Sequence, residues 1–230
     1  MKKILGLALL VLFAFSIFGV ASAEPISSVG NGELNVLYWT PKVDMCNTGE
    51  TWPGWIVRGN FFTNNSFKFG AEYAAARKSI NAGTPAGANS WTGRLQNLKI
   101  HAKYVPWKSS TYDFGIGLFY TAQSTDALLS TAPGTYVVGN GTASGIGIGL
   151  DGRYNASDKF AFYGLLDYAP SLSTSLAGHS KNFSDTDLEL GLAFKITTPM
   201  ELKIGYRIGS YSKDLDYKAR GIFYGLNFKF

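Results

Sequence analysis

The closing stretch, Tyr217 to Phe230, restricts the folds open to this chain more than any other. Apolar side chains at Ile222, Tyr224, Leu226, Phe228 and Phe230 alternate with Phe223, Gly225, Asn227 and Lys229. A period of two means a strand with one greasy face and one mostly small or polar face. At the end of an open sheet such a strand would leave a row of unpaired backbone groups that templates aggregation. Pairing with the first strand of the same sheet removes that edge. The sheet then closes into a barrel, and the apolar face looks outward at lipid.

The same alternation recurs along the chain. Residues 33–39 read as a first strand with Leu34, Val36 and Tyr38 on one face, and Trp55 to Phe62 as a second. A third places Phe67, Phe69, Ala71, Tyr73 and Ala75 opposite Lys68, Gly70, Glu72 and Ala74. In the fourth, Leu98, Ile100, Ala102 and Tyr104 oppose Asn97, Lys99, His101 and Lys103. The fifth sets Tyr112, Phe114, Ile116, Leu118 and Tyr120 against Asp113, Gly115, Gly117, Phe119 and Thr121. Strands around Ile146–Tyr154, Phe160–Tyr168, Leu188–Ile196 and Met200–Ile208 follow. With the closing strand this makes about ten, with eight as the alternative if the first is misread.

Connections alternate in length. Short turns are predicted at residues 63–66, 106–110, 155–158 and 197–199, and long loops at 76–91, 124–141 and 172–184. Short turns on one side and long loops on the other is the asymmetry of outer-membrane barrels, whose tilted strands need about 9 to 11 residues to cross. Aromatic residues gather at strand ends. Tyr104, Trp107, Tyr112, Tyr154, Phe160 and Phe230 lie beside the turns, and Trp55, Tyr73, Trp91, Tyr120, Tyr168 and Tyr206 toward the loops. Amphipathic rings favour the two bilayer interfaces.

The N-terminus carries Lys2 and Lys3, an apolar run from Ile4 to Val20, and Ala21-Ser22-Ala23. This order predicts a signal peptide over residues 1–23 and a barrel over 24–230, against the alternative of an uncleaved anchor. Cleavage removes two lysines from a formal charge of +5, so the remaining basic balance is modest and implies no nucleic-acid partner. A mean hydropathy of +0.02 with 27 glycines suits strands that average one lipid face with one polar face. Cys46 is the only cysteine, so no internal disulfide framework exists.

With these features the mature chain resembles the small outer-membrane barrels of the OmpA, OmpX, OmpW and opacity type. The resemblance implies an all-β, antiparallel up-and-down transmembrane β-barrel in the bacterial outer membrane. It also implies an assembly signal at Gly225, Phe228 and Phe230, read by the barrel-assembly machinery. Phe223 departs from the pattern, which usually has a polar residue there. The partners so implied are outer-membrane lipid and the assembly machinery, with a surface ligand reached through the loops and the barrel a monomer.

Inward positions collect charge of both signs: Arg58, Lys68, Glu72, Lys99, Lys103, Asp113, Asp151, Arg153, Asp167, Asp187, Glu189, Lys195, Glu201, Lys203, Arg207 and Lys229. Counting from the turns sets Lys195 opposite Glu201, Glu189 opposite Arg207 and Lys103 opposite Asp113, with Glu72 near Arg58 and Lys99. Opposite charges across strands stabilise by a few tenths to about 1 kcal/mol each. This lattice either fills a closed barrel in the service of envelope structure or surface interaction, or lines a narrow channel for small polar solutes or ions.

A barrel enzyme acting on lipid or peptide ranks third. His101 and His179 sit in no nucleophile or metal-ligand motif, and the pairs Asp185/Asp187 and Asp151/Asp167 read more simply as ion-pair partners. Gly147, Gly149 and Gly152 spell a dinucleotide-binding pattern, but the alternation of Ile146, Ile148 and Leu150 runs straight through it. No catalytic residue, cofactor site or metal site is predicted.

Overall fold

β1 (Gly32–Asp44) has a long neighbour on each side, and that closes the sheet. It pairs antiparallel with β3 (Gly54–Thr63), from Gly32↔Phe61 to Trp39↔Gly54, and with β11 (Tyr217–Lys229), from Glu33↔Lys229 to Asp44↔Lys218. Between them run β4 (Phe67–Thr84), β5 (Gly87–Lys108), β6 (Tyr112–Thr131), β7 (Gly134–Ser157), β8 (Phe160–Leu176), β9 (His179–Thr197) and β10 (Met200–Ser212), each hydrogen-bonded to the next. A two-residue segment, β2 (Glu50–Thr51), only flanks Lys42 and Val43. The result is a closed antiparallel up-and-down barrel of ten strands, which settles the choice between ten and eight. Gly32 N donates to Phe230 O (2.8 Å) and Phe230 N to Gly32 O (3.0 Å), so the seam is pinned at its very end.

This computed structural model describes residues 32–44, 50–63, 66–84, 87–131, 134–176, 179–212 and 217–230. The predicted signal peptide and Cys46 lie outside them.

Parity decides which way each residue faces. Leu118, Ile146, Leu190, Ile222 and Tyr224 are half or more exposed, whereas their chain neighbours Phe119, Glu189 and Phe223 are buried. A surface this apolar is stable only against lipid. Rings pack across it near the turns, Phe67 on Tyr104 (5.3 Å) and Phe160 on Phe194 (5.1 Å), and nearer the other end Tyr38 on Trp55 (5.1 Å).

The connections differ from the sequence expectation in two respects. The stretches expected as long loops are largely strand. β4 and β5 pair out to Thr84↔Gly87, β6 and β7 to Thr131↔Gly134, and β8 and β9 to Leu176↔His179. These ends are rich in Ser, Thr, Ala, Gly and Asn. Lacking an apolar face, they carry no alternation to read, yet their backbones pair with neighbours in the same sheet. β4 to β9 therefore have 17 to 24 residues, while β1, β10 and β11 have 13 and β3 has 10. One side of the barrel rises well past the bilayer crossing as a tall wall.

The second difference is at Pro106. It lies inside β5 where the ladder with β6 shifts register between Tyr104 and Trp107. Proline has no N–H for the ladder, so the shift falls there. The turn itself is only Ser109–Thr111. Ser109 N donates to Tyr112 O (2.8 Å), and Ser109 Oγ accepts from Tyr112 N (3.0 Å).

Candidate functional site

The lumen is the only region where the described residues bring charged side chains together in number, and it is layered along the barrel axis. The middle layer is one unbroken series of contacts in which the sign alternates. Glu189 Oε2 accepts from Arg58 Nη2 (2.8 Å), and Arg58 Nε donates to Glu72 Oε2 (2.6 Å). Glu72 Oε1 accepts from Arg207 Nη2 (2.7 Å), and Arg207 also holds Asp187. Lys99 Nζ donates to Asp187 (2.6 Å) and to Asp167 (2.9 Å). Lys103 Nζ lies between Asp167 (3.7 Å) and Asp151 (3.4 Å), and Lys68 ends the series on Asp151.

Glu189, Lys99, Lys103, Glu72, Arg207 and Asp187 are nearly without solvent contact. Burying a charge is costly unless it is paired and hydrogen-bonded, so each member depends on the next. Nearer the turns a second group forms. Arg153 donates both Nη atoms to Glu201 (2.8 and 2.9 Å), which also accepts from Lys229 (2.5 Å) and Asn227 (3.1 Å).

Above the charges, away from the turns, large apolar side chains fill much of the lumen, with the buried Gln123–Asp185 pair among them. Leu37, Trp39, Val43, Trp52, Ile56, Leu95 and Phe223 make one cluster, and Phe119, Leu172 and Phe183 another. Space for these large rings comes from glycines on facing strands. A Cβ on Gly205 would strike the Phe223 ring, and one on Gly93 would strike Trp52. Arg207 joins the layers, its guanidinium 5.4 Å from the Trp39 ring. A pocket of about 30 Å³ lies at this level, between Trp39, Asp185, Arg207 and Tyr211. On the turn side a cavity of about 410 Å³ reaches the rim at Ser109, Ser110 and Lys229.

The predicted inward residues are placed as follows. The ladder sets Glu72 opposite both Arg58 and Lys99, Arg207 opposite Glu189, and Glu201 opposite Lys195. Ladder neighbours are nevertheless not always ionic partners. Glu189 binds Arg58 across the lumen rather than Arg207, and Glu201 binds Arg153 and Lys229 rather than Lys195, which is exposed at the turn-side rim. Lys103 faces Gly117, and Asp113 faces Lys108, because β5 continues through Pro106 to Lys108 and the turn falls later than expected, at Ser109–Thr111. Asp113 and Lys203 line the turn-side cavity, Lys203 with its ammonium 4.6 Å from the Tyr163 ring.

The carboxylates considered for catalysis are engaged. Asp185 accepts from Gln123 Nε2 (2.8 Å) and Asp187 holds Lys99 and Arg207. His101 Nε2 lies 2.9 Å from Asn60 Oδ1. His179 begins β9 rather than lying in a loop, and Gly147, Gly149 and Gly152 all lie within the extended strand β7. Among the described residues no group of three or more His, Cys, Asp and Glu could hold a metal ion.

Closed topology, a lipid-facing exterior and a filled polar interior define a bacterial outer-membrane β-barrel protein. A solved structure agrees on the fold. The outer membrane protease OmpT from Escherichia coli superposes with a TM-score of 0.53 at 14% identity, covering 91% of this chain and 100% of its own. Ail of Yersinia pestis, solved with the heparin analogue sucrose octasulfate, gives 0.47 at 12% identity over 88% and 99%. An outer membrane channel from Pseudomonas putida F1 gives 0.46 at 11% over 91% and 100%. No family model matches the chain, and no curated protein matches it by sequence.

Proposed function

We propose that this protein is a non-conducting, non-catalytic, monomeric barrel that anchors a tall outer wall for contact with a surface ligand. Short turns on the periplasmic face and longer extensions outside are the usual orientation of such barrels. This orientation points the paired extensions of β4 to β9 away from the cell. The observation that carries the reading is the stacking of two seals in the lumen. The buried charge series and the apolar layer above it stand between the turn-side cavity of about 410 Å³ and the outer end, with a pocket of roughly 30 Å³ where the two layers meet. A passage for ions would have to break both.

In this reading residues 1–23 direct export and are removed, and Gly225, Phe228 and Phe230 serve the assembly machinery. Support for the last point is local. Phe230 stacks its ring over Gly32, with Cε2 2.7 Å from where a Cβ would stand, and Phe228 lies on the lipid face.

Planar-bilayer recording of the refolded barrel tests the proposal. Insertion without reproducible current steps is expected. Regular steps of fixed size would establish the channel reading instead.

A further inference from the structure

The turn-side cavity holds a cation that the rest of the lumen does not neutralise at contact distance. Lys203 is 6% exposed, lines the cavity, and forms no ion pair within 4.0 Å among the described residues; its ammonium lies 4.6 Å from the Tyr163 ring, and Glu33 is the carboxylate that acts on it most strongly from beyond contact distance. Its neighbours are committed elsewhere. Arg153 and Lys229 hold Glu201, Lys68 holds Asp151, and Arg58 holds Glu72 and Glu189. A buried ammonium without a carboxylate is costly, and the cost is offset when an anion fills the space beside it. The cavity wall also supplies acceptors. Glu33 accepts from Asn60 (2.5 Å) through one oxygen, and Asp113 has no ion pair among the described residues.

We infer that this cavity is a binding site, open to the periplasmic side, for a small hydroxylated anion. The anionic group would sit on Lys203, and the hydroxyls would donate to Asp113 and Glu33. A volume of about 410 Å³ is within the roughly 300 to 1,000 Å³ typical of small-molecule sites and suits a body of monosaccharide size. Carboxylate and phosphate share the required charge. Lys203, the one lining cation in no ion pair among the described residues, favours an anion over a neutral sugar, and the acceptors favour a hydroxylated body over a bare ion. The site lies on the opposite side of the charge series from the outer wall, so it is independent of any surface ligand.

Titration calorimetry on the full barrel in detergent micelles tests this, with glucose 6-phosphate, glucuronate, glucose and inorganic phosphate as separate probes. Glucose 6-phosphate or glucuronate should bind, with glucose and inorganic phosphate at least about tenfold weaker. Lys203→Gln should weaken the anion by about tenfold or more, and Lys203→Arg should retain most of the binding. Lys42→Gln, at an exposed position toward the other end of β1, should change nothing. Thermal melting of each variant separates lost binding from lost fold. Equal affinity for wild type and a folded Lys203→Gln barrel would overturn the assignment. So would the absence of binding by both sugar anions, and so would inorganic phosphate binding as well as either, since it would indicate unspecific anion attraction.

Discussion

The two halves of the lumen are built within one closed sheet by opposite means. Toward the turns, β3, β4, β9 and β10 project Arg58, Glu72, Glu189 and Lys203 inward; toward the outer end β1, β3 and β11 project Leu37, Trp39, Ile56 and Phe223. Alternation dictates only that a residue faces inward. Height along the axis decides whether the space is closed by ion pairs or by rings. The charged half relies on partners that must all be present, whereas the apolar half relies on volume.

That contrast makes the two halves fail differently. The largest expected effect is at Glu72, which bridges Arg58 and Arg207. Glu72→Gln keeps the shape and removes the charge from between two buried guanidinium groups. Urea unfolding of the barrel refolded into lipid vesicles should show a loss of about 3 to 5 kcal/mol, the usual range for stripping one partner from a buried ionic group. A loss below about 1 kcal/mol would mean that the series behaves like solvent-screened surface pairs. In the apolar half, Ile56→Val removes one buried methylene and should cost about 0.5 to 1.5 kcal/mol. An effect as large as that of Glu72→Gln would erase the distinction between the two halves.

Much of this was legible in the sequence, for a physical reason. A lipid face and a lumen face alternate along one strand, so Lys99 against Ile100 or Glu189 against Leu190 states the direction of each residue outright. Closure followed from the greasy last strand. Partner choice was not legible. A narrow barrel lets Arg58 on β3 reach Glu189 on β9, and no count along the ladder contains that distance. The strand ends past Arg77, Gln123 and Leu172 were hidden because they have no lipid to face and so no alternation. The apolar plug had a signal that went unread: Phe119 and Phe223 are large rings at inward parity, with Gly147 and Gly205 beside them on the facing strands.

The smallest expected effect separates ladder geometry from true pairing. Lys195 is the Cα partner of Glu201, and a reading from register alone assigns that pair up to about 1 kcal/mol. Glu201 already accepts from Arg153 through both oxygens, from Lys229 and from Asn227, while Lys195 stands exposed at the rim. A fifth donor would have to displace one of these and gain little, since the lysine gives up full hydration and rotamer freedom to arrive. Lys195→Gln should therefore shift the unfolding free energy by less than about 0.5 kcal/mol. A loss near 1 kcal/mol that vanishes in the Glu201→Gln background would place Lys195 in the cluster and restore the ladder as the guide to pairing at the turn-side rim.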